Sequence, residues 1–404
     1  MQAHNRYSPL PLVFVSALLA ASACVADPPS SDSESPKTAT AADFTAAGKL
    51  LQKGVEDKAY PGCAVIVGTS GGVLWRQGFG KLAAEGDDAT PQTLYDLASM
   101  TKIVGTTSVL LTLVRDEKLS VTDPVSKYLP SFLTAIDDPK DRARREKVTL
   151  EHLLTHSAGL AAGAPLYKTA KTYEGVLAAA LAVPLEADPG TREKYSDLGM
   201  IILGEIVGRA GGKKLPELER ERVFAPLGLK DTLRNPPKEL LPRIAPTERK
   251  PDSQEFWHGI VHDENARAGE GATGHAGIFA TADDLGVWAA EWLKGTKGES
   301  KLLPRELVEN FSRRRELVKG SSRALGWDTP SGISSAGTKF DRTSFGHTGF
   351  TGTSVWIDPT RDLYVILLSN AVYPQRGNTR LFRIRRELCD AVVEALSATA
   401  KEKP

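Results

Sequence analysis

Hydrophobic residues follow two different spacings along the chain. Short apolar runs bounded by Gly, Pro, Asn or Asp are typical of strands, whereas longer stretches with an apolar residue every three or four positions are typical of helices. The predicted strands cover residues 63–67, 73–78, 93–97, 325–327, 344–350, 353–357 and 363–368. The predicted helices cover residues 44–59, 103–114, 150–155, 173–182, 198–210, 215–224, 282–293 and 379–396.

Strands therefore open and close the chain, and helices fill its middle. The simplest arrangement is one antiparallel sheet built from both ends of the chain, with helices from the two termini packed on it. The central helices then form a second, all-helical lobe. This order predicts a mixed α/β (α+β) fold whose two lobes meet at a junction, which is a common location for active sites.

The composition changes this picture little. The 404 residues are 41% hydrophobic, and 51 basic residues against 50 acidic residues give a net charge of +1. A chain with no basic bias and no acidic tail is not expected to bind nucleic acid. The mixed charges at residues 137–147 are typical of a solvated excursion between helices.

The N-terminus has the pattern of a targeting segment. Arg6 precedes an apolar run at residues 10–21 that is too short to span a bilayer as a helix of the mature protein. Small residues then lead to Cys24, and this pattern resembles a bacterial lipobox in which Cys24 would carry the lipid. Ala21 stands where that pattern usually has leucine, so cleavage without lipidation is an alternative.

The expected domains follow from that pattern. We expect a signal peptide at residues 1–23, a tether rich in Ser, Pro and Asp at residues 24–42, and one folded domain at residues 43–400. The mature protein would be exported, periplasmic and held on a bacterial membrane by its N-terminal lipid. Cys63 and Cys389 lie in apolar runs, where a disulfide and two buried free thiols are both compatible with export.

Ser99 and Lys102 form the first candidate for chemistry. A strand-like run feeds into Ser99 and a helical pattern follows Lys102, so the serine lies at the first turn of a helix. Residues three apart share a helix face, which would point both side chains into the same space. An amine whose pKa is lowered by burial or nearby positive charge can act as the base for a hydroxyl. The alternative is an N-cap serine beside a solvated lysine.

Two further stretches contain candidate residues. Tyr195 and Asp197 lie in a loop that leads into a helix, and a phenol near ammonium groups can serve as a general base. His347 lies between glycines in a predicted strand and is followed by Thr348 and Gly349. A glycine-lined strand edge can offer a backbone N–H to a substrate carbonyl. Taken alone, these stretches have structural alternatives, namely a packed loop tyrosine and a bulge with a packed histidine.

Together, the three stretches resemble the signatures of the penicillin-recognising serine hydrolases. The resemblance rests on the order and separation of Ser99-x-x-Lys102, Tyr195-x-Asp197 and His347-Thr348-Gly349. The tyrosine is similar to that of the class C β-lactamase, esterase and D,D-peptidase branch. Residues 148–160, 224–229 and 274–285 also match, so the resemblance covers about residues 44–400 and implies a β-lactamase-like two-lobe fold.

The resemblance also implies roles for single residues. Ser99 would attack the substrate carbonyl, and Lys102 and Tyr195 would share its proton and later activate the deacylating water. The backbone N–H groups of Ser99 and Phe350 would form the oxyanion hole, with His347 beside the substrate.

Two positions depart from the family pattern. His347 stands where lysine is frequent, and its charge would depend on pH near neutrality. Asp197 stands where asparagine is common, and an ionised carboxylate cannot donate a hydrogen bond to a substrate amide. Both departures argue against efficient hydrolysis of β-lactams.

We expect no metal ion and no other cofactor. The pairs His152–His156 and His258–His262 are spaced four apart, but the zinc-protease signature has glutamate directly after the first histidine. In the first pair Glu151 precedes His152 instead. We interpret His152 and His156 as caps near the lobe junction.

The leading hypothesis is an exported serine hydrolase that cleaves an amide or ester through an acyl-enzyme on Ser99. Its substrate would be a small molecule or a peptidoglycan peptide, with D,D-carboxypeptidase or esterase activity favoured. A true class C-type β-lactamase is the first alternative. A hypothesis from another class is a catalytically silent lipoprotein that binds a peptidoglycan fragment.

Overall fold

The computed structural model describes residues 42–332 and 334–401. The expected signal peptide, nearly all of the tether and Cys24 lie outside the described residues, so export and lipidation stay predictions. Within the described part of the chain, none of the helices combines the length and the apolar character that crossing a membrane requires.

Eight strands and fourteen helices make up the described part of the chain. The strands are β1 Gly62–Thr69, β2 Gly72–Gly80, β3 Tyr95–Asp96, β4 Leu233–Arg234, β5 Ile278–Ala280, β6 Phe345–Thr348, β7 Ser354–Asp358 and β8 Leu363–Ser369. The helices are α1 Thr45–Glu56, α2 Ser108–Arg115, α3 Val125–Tyr128, α4 Ser131–Thr134, α5 Pro139–Arg145, α6 Leu150–Leu154, α7 Tyr173–Leu181, α8 Asp197–Gly211, α9 Leu215–Glu219, α10 Ala225–Leu227, α11 Glu264–Ala268, α12 Ala282–Lys297, α13 Arg305–Ser312 and α14 Arg380–Lys401.

The main sheet joins the two ends of the folded domain. Its five strands run in the order β2-β1-β8-β7-β6, and all neighbours are antiparallel. Strand β1 pairs with β8, which brings Val65 opposite Leu367. The predicted sheet made from both ends of the chain is therefore confirmed.

Both faces of strand β1 are buried. Cys63, Val65 and Val67 belong to the apolar cluster that the sheet forms with α1 and α14. Ala64 and Ile66 point to the opposite face, where α12 packs on β1 and β8. Successive side chains of a strand alternate between faces, so an uninterrupted apolar run supplies two cores at once.

A second, small sheet was not predicted. It consists of β3, β5 and β4 in that order, and β3 leads directly into the turn that carries Ser99. Strand β3 lies within the strand predicted at residues 93–97, but β4 and β5 are too short to show a period of two in the sequence. Conversely, the predicted strand at residues 325–327 is wrong. These residues form a bend between the bridged residues Arg323 and Asp328, because the Trp327 indole is buried against the indoles of Trp288 and Trp292.

The predicted helical lobe is confirmed, and α8 lies at its centre. Helix α8 is buried along most of its length and contacts α2, α3, α6, α7 and α9. The Ser196 hydroxyl caps its first turn by accepting the Gly199 N–H, and Gly212 ends it in the left-handed conformation with φ of 73°.

Most of the mixed-charge stretch at residues 137–147 is exposed, as we expected, but two of its charged residues are not. It contains helix α5, in which Asp141 and Arg145 are almost fully buried. The Arg145 guanidinium pairs with Asp141 and donates to the carbonyls of Phe132, Leu181 and Val183. These partners lie at the ends of neighbouring segments of the helical lobe, so a buried cation ties that lobe together.

Cys63 and Cys389 are both free thiols. They lie in the apolar cluster between the main sheet and α14. Burial raises the pKa of Cys63 to about 12 and holds the pKa of Cys389 above its usual value. Of the two possibilities left open by the sequence, buried thiols are the one observed.

Arg145→Met should lower the free energy of unfolding by about 3 kcal/mol, because Asp141 loses its buried cation and keeps only the partly exposed Arg144, while three carbonyls lose their donor. Arg142→Met is the matched control on the same helix. Arg142 is 56% exposed, and its ion pair with the equally exposed Glu146 is long at 3.9 Å. The control should lose less than about 1 kcal/mol. Urea unfolding of both variants checks this, and equal losses would contradict the structural role of Arg145.

Candidate active site

Ser99 lies in a tight turn between the small sheet and the helical lobe. The turn Ala98–Met100 is a 3-10 helix, and Ala98 adopts φ of 46°, in the left-handed region that an alanine rarely occupies. The Asp96 carboxylate accepts the Ala98 N–H at 2.8 Å, which stabilises this conformation. The chain then continues as the π-helical turn Lys102–Thr107 before α2 begins.

Lys102 is completely buried and directed at Ser99. Its Nζ donates to Ser99 Oγ at 2.8 Å and to the His275 carbonyl at 3.1 Å, and it pairs with Asp197 Oδ1 at 2.8 Å. The ammonium therefore makes two hydrogen bonds and has one carboxylate as its counter-charge. The structure therefore brings Ser99 and Lys102 together, which excludes the solvated lysine considered from the sequence.

The charge of Lys102 differs from our expectation. Burial lowers the pKa of its ammonium, but the Asp197 carboxylate and the Tyr195 phenol oppose that effect and outweigh it. The net pKa lies above the usual value of a lysine, so Lys102 is protonated at neutral pH. The condition for Lys102 to be the base at rest, a lowered pKa, is therefore not met, because the Asp197 carboxylate lies beside its ammonium.

Tyr195 faces the same space. Its ring centroid lies 5.0 Å from Lys102 Nζ and 5.3 Å from the guanidinium carbon of Arg323. The ring packs against the imidazoles of His156 at 4.4 Å and His347 at 6.0 Å between centroids. Two cations thus flank the phenol, and two imidazoles fix the plane of its ring.

His347 is buried and neutral. It lies on β6 opposite Val355, and its Nδ1 is 2.8 Å from the Thr348 carbonyl oxygen, so the proton on Nδ1 is the donor. Burial, together with the charges of Lys102 and Arg323, lowers its pKa to about 3. The expectation of a charge that varies near neutral pH is therefore wrong.

Phe350 lies in the turn after β6 rather than in the strand as predicted. Its ring is 61% exposed, and its backbone N–H meets no acceptor among the described residues. Gly349 before it has no room for a side chain, because a Cβ there would overlap Thr353 Oγ1 and the Leu97 carbonyl oxygen. The glycine is therefore required for the close approach of this turn to the Ser99 turn.

Two threonines join these turns directly. The Thr351 hydroxyl donates to the Asp96 carbonyl at 2.6 Å, and the Thr353 hydroxyl donates to the Leu97 carbonyl at 3.0 Å. The segment that precedes Ser99 and the segment that carries Phe350 therefore form one unit. Sequence reasoning missed both threonines because their partners are more than 250 positions away.

A cavity of about 800 Å³ opens above these residues. The candidate residues in its wall are Ser99, Tyr195, His347, Thr348, Gly349 and Phe350. Three arginines also line it, namely Arg323, Arg376 and Arg385. Lys102 and Asp197 do not line this cavity; Asp197 pairs with Lys102 and has a side chain that is 31% exposed. A role of Asp197 in substrate binding stays a prediction.

His152 and His156 make structural contacts at the starts of two helices. His152 and Thr149 form a capping box at the start of α6, which confirms the predicted cap. His156 Nδ1 accepts the N–H of Ser196 at 3.2 Å, next to the start of α8. Over residues 42–332 and 334–401, no cluster of three or more potential ligand residues has metal-binding geometry.

A family model described as Beta-lactamase matches residues 47–389. The chain belongs to the β-lactamase family. The predicted membership and the predicted two-lobe fold are therefore confirmed, and this β-lactamase-family protein is a member of a family of hydrolases. The match to the family model includes the three short motifs and extends over most of the folded domain.

Named relatives share about a third of their residues with this β-lactamase-family hydrolase. An N-acetylmuramyl-L-alanine amidase of Bacillus subtilis (strain 168) is 31% identical over 345 residues, which are 77% of each chain. A putative D-alanyl-D-alanine carboxypeptidase of Salmonella typhi is 30% identical over 361 residues, covering 80% of this chain and 82% of the relative. A class C β-lactamase structure from Rhodobacter sphaeroides superposes with a TM-score of 0.67 at 22% identity, covering 87% and 99% of the two chains.

The neutral state of His347 predicts a pH-dependent stability. Its pKa is about 3 when folded and about 6.5 when unfolded, so the unfolded chain binds an extra proton between these values. Stability should therefore rise with pH across that window, by up to about 1.4 kcal/mol per pH unit for this histidine.

His347→Gln removes the titrating group and should flatten that slope, which urea unfolding at pH 4, 5 and 6 measures. Thr348→Ser is the control, because it changes the neighbouring residue without adding or removing a titrating group. A slope in His347→Gln as steep as in the unaltered protein would show that His347 is not held neutral.

Proposed function

We propose that this β-lactamase-family protein cleaves amides or esters through an acyl-enzyme on Ser99. The observation that carries the proposal is the 2.8 Å contact from Lys102 Nζ to Ser99 Oγ, at the wall of a cavity that also contains Tyr195. Burying a charged lysine costs free energy, so its place beside a serine calls for a functional reason. Orientation and activation of a nucleophile is such a reason.

In the first step, Ser99 Oγ attacks the substrate carbonyl carbon and its proton leaves. Because Lys102 is protonated at rest, the reactive state is the one in which Lys102 and Tyr195 together have released one proton, and this pair then accepts the proton of Ser99. The negative charge on the substrate oxygen is stabilised by the N–H groups of Ser99 and Phe350. The unpaired N–H of Phe350 in the cavity wall supports this role.

In the later steps, the bond to the leaving group breaks and that group takes up the proton. Water then adds to the acyl-enzyme carbonyl, with its proton removed by the same pair. The acid is released and the Ser99 hydroxyl is restored, so atoms and charges balance over the cycle. No metal ion or cofactor is needed for any of these steps.

We favour D,D-carboxypeptidase or esterase activity over β-lactamase activity. The carboxypeptidase and amidase names of relatives at 30–31% identity support a peptidoglycan peptide as substrate. The neutral His347 argues against a site built like that of a β-lactamase with lysine at this position.

The proposed nucleophile can be tested by covalent labelling. Incubation with a fluorophosphonate probe should add one probe per chain, and peptide mass spectrometry should locate it on Ser99. Ser99→Ala should lose the adduct, whereas Ser331→Ala should keep it, since Ser331 is another serine of the same cavity wall. A labelled Ser99→Ala variant, or an unlabelled native protein, would contradict the acyl-enzyme and favour a silent binding protein.

The proposed substrate class can be tested by comparing substrates. Parallel assays with a D-Ala-D-Ala peptide, p-nitrophenyl butyrate and nitrocefin should give a higher kcat/KM for the peptide or the ester than for nitrocefin. Each activity should disappear in Ser99→Ala and persist in Ser331→Ala. The highest kcat/KM on nitrocefin would instead identify a true β-lactamase.

A further inference from the structure

The Phe350 N–H is one end of the peptide unit that joins Gly349 to Phe350. The other end of that unit is the Gly349 carbonyl. In a trans peptide the C=O and N–H point in opposite directions and share one conjugated system. Whatever holds the Gly349 carbonyl therefore also sets the direction of the Phe350 N–H.

Arg385 on α14 holds that carbonyl. Its Nη2 donates to the Gly349 oxygen at 2.8 Å and to the Thr353 oxygen at 2.7 Å. Thr353 is tied in turn to Gly349, whose N–H donates to the same Thr353 oxygen at 2.7 Å. One guanidinium thus clamps both ends of the turn that contains Phe350.

The charge of Arg385 is not neutralised nearby. No carboxylate of the described residues lies within 4 Å of its guanidinium, and its buried Nε has no acceptor among them. Burial lowers its pKa to about 10, which leaves it charged at neutral pH. The other two arginines of the cavity differ, because Arg323 pairs with Glu193 and Arg376 pairs with Glu248.

We propose that Arg385 is a positioning residue that aligns and polarises the Gly349–Phe350 peptide for its role in the oxyanion hole. A charged donor on the carbonyl draws electron density through the peptide unit, and hydrogen bonds in such a chain strengthen one another. The Phe350 N–H becomes a stronger donor with a fixed direction. Nothing in the sequence indicates this role, since Arg385 belongs to a helix that otherwise packs on the sheet.

The inference rests on the proposed acyl-enzyme, and the experiment separates the two. An ester of p-nitrophenol with a ¹³C-labelled carbonyl acylates the enzyme, and infrared difference spectra report the carbonyl stretch of the acyl group. Stronger hydrogen bonds from the oxyanion hole move that stretch to lower wavenumber. A purely structural tether between α14 and the turn would not change the frequency in a folded variant.

Three variants give the comparison. Arg385→Met removes the charge and both donated bonds, while Arg385→Lys keeps a charge with a less rigid donor. Arg383→Met is the matched control, since Arg383 lies on the same helix with a side chain that is 69% exposed and pairs only with Glu387. Thermal unfolding of each variant establishes that it is folded.

In Arg385→Met we expect the acyl carbonyl stretch at higher wavenumber and kcat lower by about 10-fold to 100-fold, with KM little changed. A 10-fold decrease in kcat corresponds to a Phe350 N–H that is only a weaker donor. A 100-fold decrease corresponds to the complete loss of one oxyanion-hole donor. Arg385→Lys should fall between Arg385→Met and the native protein, and Arg383→Met should match the native protein. If Arg385→Met does not fold, the Arg385→Lys spectrum decides.

An unchanged carbonyl frequency in folded Arg385→Met and Arg385→Lys would overturn the role of Arg385 while leaving the acyl-enzyme intact. A loss confined to KM would instead assign Arg385 to substrate binding and would also overturn the proposal. Absence of any acyl carbonyl band in the native protein would overturn the proposed function itself, and this inference with it.

Discussion

A single buried ammonium group fixes the geometry of the active site. Lys102 has no exposed surface, and an ammonium removed from water is costly unless every donor has an acceptor. Its two hydrogen-bond acceptors and its carboxylate counter-charge come from three separate segments, namely the Ser99 turn, the loop at His275 and the start of α8 at Asp197. The packing of the two lobes therefore has to bring those segments within 3.1 Å of one atom.

A second buried ion pair stabilises the loop that contacts Lys102. Glu219 and Arg234 form a two-bond pair with almost no exposure, and Arg234 also donates to the carbonyls of Gly271 and Ala276. These bonds hold the loop whose His275 carbonyl accepts from Lys102. Glu219 also fills the space beside Gly105 in the π-helical turn, where a Cβ would overlap its carboxylate. A π-turn at this position agrees with the frequent location of such turns at functional sites.

The sequence predicts most of the architecture, because long periodic stretches report on burial. The strands at the centre of the main sheet and the long helices follow from their apolar spacing, and Ser99, Lys102, Tyr195 and His347 follow from their motifs. What the sequence cannot reveal are contacts between distant positions. The clamp of Arg385 on Gly349, the threonine bonds to Asp96 and Leu97, and the burial of Arg145 in a charged stretch all depend on partners that only the fold brings near.

The two departures from the family pattern also have an electrostatic effect that depends on such contacts. From the sequence, we expected His347 and Asp197 to affect substrate recognition. Relative to lysine and asparagine at these positions, a neutral histidine and an aspartate each make the site more negative by one charge. Both changes act on Lys102, since a cation at position 347 would oppose its protonation and the Asp197 carboxylate favours it.

The two departures are therefore electrostatically consistent with each other. Together they hold Lys102 protonated, which prevents it from being the resting base and makes it a donor to Ser99 Oγ. In the proposed mechanism Lys102 can take the Ser99 proton only when the Lys102–Tyr195 pair has first released one, and Tyr195 is the titratable group that packs against both Lys102 and His347. The residues that differ from the family pattern thus determine how the proposed mechanism divides the proton transfer between lysine and tyrosine.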